Sequence, residues 1–170
     1  VYGERFMRDL SNRLNESCSA AVLADEDVVY VARVAGQRIL SVALHVGTRL
    51  PAYCTSMGRV LLSQLPPAQL DDFLARATIA ANTPKTVTDR TSLAGIIAKA
   101  GRDGHAAVDE ELEIGLRSIA VPVRDRAGRI AAAINVPAQS QRYTVQELER
   151  RALPHLKKAA AAIEDFFVVQ

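Results

Sequence analysis

The strongest constraint on the fold is a pair of alternating hydrophobic segments joined by a very short connection. The segments are residues 116–124 and 129–136, and residues 125–128 separate them. A connection of this length, ending in glycine, is typical of a hairpin between antiparallel strands. Residues 19–24 and 28–34 form a second pair of this kind, separated by three acidic residues. The sequence therefore predicts an antiparallel sheet.

Further segments extend this pattern to about six strands flanked by helices, an α+β domain. Thr144 and Glu147 form a capping box that starts the last helix, and Pro154 inside that helix predicts a kink near residues 150–151. Two prolines, at 66 and 67, end one helix and begin another. The other helices are predicted at residues 4–17, 57–65 and 92–102, and the other strands at residues 39–46 and 105–109.

Composition limits the classes of function. The 170 residues carry a net charge of +2, with 49% hydrophobic and 24% charged residues, which gives no field strong enough to hold nucleic acid. No apolar segment approaches the roughly 20 residues of a membrane span. Two separated cysteines, Cys18 and Cys54, indicate free thiols in a reducing, cytoplasmic compartment. A start at Val1 rather than Met predicts a fragment of a longer protein.

Three predicted strands have one bulky apolar face and one small, partly polar face. A small face leaves volume for a ligand, and a few polar groups can orient that ligand. The alternative is that small residues let helices pack closely against the sheet. The small faces carry Ile39, Ser41, Ala43 and His45 on the first strand, Leu116, Ser118 and Ala120 on the second, and Ala131, Ala133 and Asn135 on the third.

Three blocks, in the same order, carry a resemblance to a known family. They are LPAYCTSMGRVLL at residues 50–62, DEELEIGLRSIAVPV at residues 109–123 and IAAAINV at residues 130–136. Together they resemble the effector domain of the IclR family of bacterial transcription regulators. The likeness extends over about residues 4–165, nearly the whole chain.

The resemblance implies a GAF-like antiparallel sheet that binds a small metabolite behind a winged helix-turn-helix DNA-binding domain. Residues 1–17 would be the linker helix toward that absent domain, and residues 18–170 the effector-binding domain. The family implies a homodimer or tetramer, contact with DNA only through the missing domain, no cofactor and no enzymatic activity. Residues 28–34 and 50–59 look most like the branch that controls aromatic-acid catabolism.

The resemblance also implies a set of ligand contacts. Members that sense small keto acids have small residues at positions 56 and 57, a carboxylate at 108 and a serine at 137. The bulkier, more apolar residues in this sequence favour an aromatic carboxylate. The implied contacts are Ile39, Leu50, Ser56, Met57, Val108, Ser118, Asn135 and Pro137.

Charged and polar groups near this set suggest how an acid would be held. The helix start at Ser56, Met57 and Gly58 offers unpaired backbone N–H groups to a carboxylate. Arg59 could add charge, although solvent exposure is the more common state of a basic helix residue.

Acidic residues 109–111 precede the strand pair formed by residues 116–124 and 129–136, and they lie within the second family block. They are interpreted as a solvated loop at the rim of the pocket, and Arg33 and Arg117 as partners of this run.

Two other classes of function stay open at this point. An enzyme could use Cys54 or Ser118 as nucleophile, with His45 or His105 as base. A helix start can lower the pKa of a thiol, but Cys54 is interpreted mainly as a small buried hydrophobe. The histidines have no metal-ligand spacing, so no metal site is predicted. A pure oligomerisation module is the third alternative.

Overall fold

The structure is a computed structural model that describes residues 3–36 and 44–169. The predicted α+β class, with a sheet of about six strands flanked by helices, is confirmed. The elements in chain order are α1 (Glu4–Leu14), β1 (Cys18–Ala24), β2 (Asp27–Val34), β3 (Arg49–Pro51), α2 (Ser56–Leu62), α3 (Pro67–Arg76), α4 (Arg90–Asp103), β4 (Ala106–Asp109), β5 (Leu116–Arg124), β6 (Ile130–Gln139) and α5 (Val145–Val169).

The strands form one antiparallel sheet in the order β3-β2-β1-β6-β5-β4. The predicted hairpin between β5 and β6 is confirmed. Its turn is closed by a hydrogen bond from Gly128 N to Asp125 O (3.0 Å), and Gly128 has a φ of 82°, a conformation that glycine adopts without strain. The N- and C-terminal halves of the chain meet where β1 pairs with β6 at the centre of the sheet.

Helices cover both faces of the sheet and create two hydrophobic cores. The first core lies under α2, α3 and α4 and includes Met57, Phe73 and Ile97. The second lies under α1 and α5 and includes Met7 and Leu156. Because side chains alternate along a strand, each central strand contributes to both cores.

A β-bulge on β2 changes which residues face the first core. Ala20 pairs with Ala32, but the next residue, Ala21, pairs with Tyr30, so Val31 has no partner. Tyr30 belongs to the first core, whereas Ala32 belongs to the second. In a regular strand these two residues would share a face. The bulge thus places Tyr30 on the face covered by α2.

The strand predicted at residues 39–46 is the main discrepancy. Residues 39–43 lie outside the described residues, and residues 44–46 lead into a turn rather than a strand. The third strand is instead the three-residue β3, which pairs Val28 with Leu50 at the sheet edge. Three residues are too few to produce an alternation signal, so this strand depends on its pairing with β2.

The last helix begins as predicted and runs through its proline. Thr144 Oγ1 accepts a hydrogen bond from Glu147 N (3.1 Å), which is half of the capping box. Pro154 lies inside α5, and the kink near residues 150–151 stays a prediction.

The first helix ends earlier than predicted, at Leu14, because Asn15 adopts a left-handed conformation with φ 58°. Met7 and Leu10 are buried in the second core, and the linker role of residues 1–17 stays a prediction. Among residues 3–36 and 44–169, no helix combines the length and apolar character needed to cross a membrane.

Candidate functional site

A cavity lies between the first-core face of the sheet and the start of α2. The empty space at this site, which includes open solvent at its mouth, is about 560 Å³. Its walls are largely apolar. They are formed by Tyr30, Leu44, Leu50, Cys54, Thr55, Ser56, Met57, Val108, Leu112, Leu116, Ser118, Asn135 and Pro137.

Seven of the eight residues in the predicted ligand set line this one cavity; the eighth, Ile39, lies outside the described residues. Their role as effector contacts stays a prediction. The seven come from β3, α2, β4, β5 and β6, and they are Leu50, Ser56, Met57, Val108, Ser118, Asn135 and Pro137.

The sheet register explains why the strand residues meet. Ser118 on β5 lies directly opposite Val108 on β4 and Pro137 on β6. Asn135 precedes Pro137 by two residues and therefore points to the same face. Of the three strands whose small faces predicted a ligand site, the two described ones, β5 and β6, bring Ser118 and Asn135 to the cavity.

The start of α2 is fixed by its cap and by a close backbone contact. Thr55 Oγ1 accepts from Gly58 N (3.3 Å). The predicted free amide at Gly58 is therefore wrong, because the cap already pairs it. An added Cβ at Gly58 would lie 2.1 Å from Ala52 O, so only glycine lets α2 approach the preceding loop so closely.

A pair of hydroxyl groups forms one polar region of the cavity. Ser118 Oγ donates to Ser56 Oγ over 2.8 Å, and this bond joins β5 to the start of α2. Two hydroxyls carry two hydrogens, and the bond between them uses one. The pair therefore keeps one hydrogen for another acceptor, such as a carboxylate oxygen.

Tyr30 and Asn135 form a second polar region, and the sequence analysis did not find Tyr30 as a site residue. Both side chains are about 95% buried. Burial raises the pKa of the Tyr30 phenol to about 12, against the opposing effects of the Arg33 charge and a hydrogen bond with Asn135. The phenol is therefore neutral and keeps its proton at ordinary pH. Alternation along β2 could not find it, because the bulge decides which way Tyr30 faces.

Arg59 was expected to be exposed to solvent, and this prediction is wrong. The residue is buried, with only 2% of it exposed. Its guanidinium forms two hydrogen bonds to the Glu111 carboxylate, of 2.6 and 2.8 Å, and Nε donates to Tyr53 O. The prediction of a solvated acidic loop is also wrong for Glu111, because that carboxylate is the buried partner of Arg59. The pair ties α2 to the loop that carries Leu112, a cavity residue.

The two other predicted charge pairs, those of Arg117 and Arg33, have different outcomes. Arg117 pairs with Asp109 at 2.6 Å, as predicted. Arg33 makes no ion pair with residues 109–111 within the described parts of the chain. Strands β1, β6 and β5 separate β2 from β4, so this pairing was wrong for topological reasons.

The nucleophile–histidine pairs considered for an enzyme are not formed within the described residues. Burial raises the pKa of the Cys54 thiol to about 11, the opposite of the direction that a helix start could give. The Cys54 sulfur accepts from the Asn82 amide, and Ser118 bonds Ser56. Among residues 3–36 and 44–169, neither nucleophile has a histidine as hydrogen-bond partner, and no three metal-binding side chains cluster.

The fold is an antiparallel sheet with helices on both faces, and an apolar cavity lies between one face and helix α2. This is the architecture of a small ligand-binding domain. Residues 3–165 match the family described as bacterial transcriptional regulator IclR C-terminal, and the chain belongs to this family. The predicted family resemblance is therefore confirmed.

Individual relatives agree with this assignment. The chain is 44% identical over 161 residues to the Pca regulon regulatory protein of Pseudomonas putida, covering 94% of this chain and 55% of that protein. It thus spans about half the length of this relative. A solved transcriptional regulator from Rhodococcus sp. RHA1 has a TM-score of 0.94 and 42% identity, covering 98% of this chain and 67% of that one.

A second solved structure is the inducer-binding domain of the PobR transcription factor from Acinetobacter, a double mutant in complex with 3-hydroxybenzoic acid. It has a TM-score of 0.89 and 31% identity, and the match covers 96% of this chain and 95% of that one.

Proposed function

We propose that this chain is the ligand-sensing domain of an IclR-type transcription regulator and that its cavity binds a small aromatic carboxylate. The observation that carries the proposal is the convergence of seven predicted contact residues, from five separate elements, on one largely apolar cavity. A ring is complementary to apolar walls, and the Ser56–Ser118 pair supplies a donor for the acid group.

The identity of the wall residues favours an aromatic acid over a small keto acid. Met57, Val108 and Pro137 present apolar surface and no charge to the cavity, and a two- or three-carbon acid would leave much of that surface uncovered. The names of the relatives point the same way, since one regulates a Pca regulon and another binds 3-hydroxybenzoic acid.

The remaining features of the proposal concern the whole protein. Binding would control promoter occupancy through a separate DNA-binding domain, in a cytoplasmic homodimer or tetramer. The effector can shift the equilibrium between two arrangements of the protomers only if it binds them with different affinity. No step of this role requires turnover.

A thermal-shift panel tests the proposal. Ligand that binds the native state stabilises it by about 2.7 kcal/mol at a hundredfold excess over Kd. We expect 4-hydroxybenzoate or protocatechuate to raise the Tm, and glyoxylate, pyruvate and muconate to leave it unchanged. Ser118→Ala should reduce the shift, because it removes a cavity hydroxyl.

Ser63→Ala is the matched control, since the Ser63 hydroxyl bonds Val60 O within α2 and does not line the cavity. This variant should keep the full ligand-induced shift. Stabilisation by the keto acids alone would contradict the aromatic assignment, and no shift with any acid would favour an oligomerisation module.

A further inference from the structure

The amide of Asn135 is a buried polar group with an incomplete set of hydrogen bonds. Asn135 lies on β6, is 5% exposed and lines the cavity. Among residues 3–36 and 44–169, its Oδ1 has no hydrogen-bond partner. Buried side-chain oxygens in folded proteins nearly always have one, so this atom is available to a donor that a ligand brings into the cavity.

Tyr30 lies beside this amide and restricts the kind of donor that fits. Its phenol lines the same cavity, and the Asn135 amide is near enough to influence the phenol pKa. One end of an amide accepts and the other donates, and turning the group over exchanges the two. A hydroxyl group both donates and accepts, so it satisfies the amide in either orientation and can also accept from the neutral Tyr30 phenol.

The register places this polar region at a definite distance from the serine pair. Ser118 is directly opposite Pro137, and Asn135 is two residues before Pro137 on the same face. Such diagonal positions on neighbouring strands are about 7–8 Å apart. This separation is comparable with the distance between groups at opposite ends of a benzene ring.

We propose that Asn135 and Tyr30 are specificity-determining residues that bind a hydroxyl group on the effector ring, opposite its carboxylate. The ring hydroxyl donates to Asn135 Oδ1 and accepts from Tyr30, while the carboxylate accepts from the Ser56–Ser118 pair. The ligand class is a hydroxylated aromatic carboxylic acid. This inference rests on the proposed function, since it requires an aromatic acid in the cavity.

Calorimetric titration with three acids that differ at one ring position tests the inference. The acids are 4-hydroxybenzoate, benzoate and 4-methylbenzoate, the last of which fills the same space without a hydrogen bond. We expect the unmodified chain to bind 4-hydroxybenzoate at least about tenfold more tightly than benzoate, the factor that one buried hydrogen bond supplies. The 4-methyl acid should show no such gain.

Substitutions then assign the preference to residues. In Asn135→Leu the new side chain has a similar volume but no polar atoms. This variant should reduce the ratio of the affinities for 4-hydroxybenzoate and benzoate to about one. Tyr30→Phe removes only the phenol oxygen and should lower the same ratio in part. Ser118→Ala is the matched control, because it should weaken both acids by one common factor and preserve the ratio. The ratio is measured within each variant, so changes in stability cancel.

Three results would overturn the inference. Equal binding of benzoate and 4-hydroxybenzoate by the unmodified chain would leave the proposed function intact but remove the hydroxyl role. An unchanged ratio in Asn135→Leu would assign the preference to other residues. Absence of binding by all three acids, together with no shift across the thermal panel, would remove the proposed function as well.

Discussion

Gly58 shows how one residue fixes the wall of the cavity. A Cβ at this position would lie 2.1 Å from Ala52 O and 2.5 Å from Ala52 Cα, and both are backbone atoms that cannot rotate away. Gly58→Ala should therefore push α2 off the loop and lower the free energy of unfolding by about 1–3 kcal/mol, as overpacking does. Urea denaturation followed by circular dichroism would measure this loss.

Gly95→Ala is the control that tests a glycine-to-alanine change at a position without a close contact. Gly95 lies exposed inside α4, and an added Cβ there meets nothing within 4 Å. Alanine is the better helix former, so this variant should be more stable than the parent by up to about 1 kcal/mol. Equal stability of the two alanine variants would contradict the close-contact explanation for Gly58.

Single residues were also the hardest to place from sequence. Arg59 was expected in solvent because a basic residue on a short helix has no local partner to bury it. Its partner, Glu111, is 52 positions away and reaches it only after folding. Tyr30 was missed for a related reason, since its direction depends on a bulge that the alternation of β2 does not predict.

At the scale of elements, the Arg59–Glu111 pair joins three segments around the cavity. The Glu111 carboxylate also accepts from Val87 N (3.0 Å), so it links α2, the loop before β5 and the loop before α4. Arg59→Met would leave a carboxylate buried without its cation, which costs about 3–5 kcal/mol. We expect a loss of this size in urea denaturation, with weaker binding of aromatic acids.

Adding a second substitution, at Glu111, distinguishes the cost of an unpaired buried charge from the cost of lost packing. Arg59→Met combined with Glu111→Leu removes both charges and should recover most of the stability. Lys99→Met disrupts an exposed pair with Asp103 and should cost less than about 1 kcal/mol, as surface pairs usually do. A double variant as unstable as Arg59→Met alone would show that the pair has another role.

Among the elements, helices and hairpins were predictable and the edge strand was not. The capping box at Thr144 and the turn that ends at Gly128 are local signals, readable from a few adjacent residues. The strand β3 has no such signal, because its three residues are extended only through pairing with β2. The strand was instead predicted at residues 39–46, because that nearby segment alternates between bulky and small residues.

At the scale of the whole molecule, two cores on opposite faces of one sheet separate stability from binding. Leu156 is fully buried in the second core, whereas Met57 is buried in the first and lines the cavity. Truncating either to alanine should cost about 2–5 kcal/mol. Only Met57→Ala should change the affinity for an aromatic acid, measured by titration well below the Tm.

This expectation depends on the sheet isolating the cavity from the α1 and α5 layer. Native circular dichroism spectra of both variants at the titration temperature are the control for folding. A clear loss of affinity in folded Leu156→Ala would show that the two faces are coupled. Unchanged affinity in Met57→Ala would remove that side chain from the binding site.

The sequence by itself determined the antiparallel hairpin and most of the helices and strands, through periodicity and turn chemistry, which depend on neighbouring residues. The family, and seven residues that line the cavity, came from the resemblance of three sequence blocks to a known family. Only the tertiary structure decided the edge strand β3, the burial of Arg59 with Glu111 and the inward direction of Tyr30. Each of these depends on register or on contacts between distant segments, whose energies come from packing and desolvation after the chain has folded.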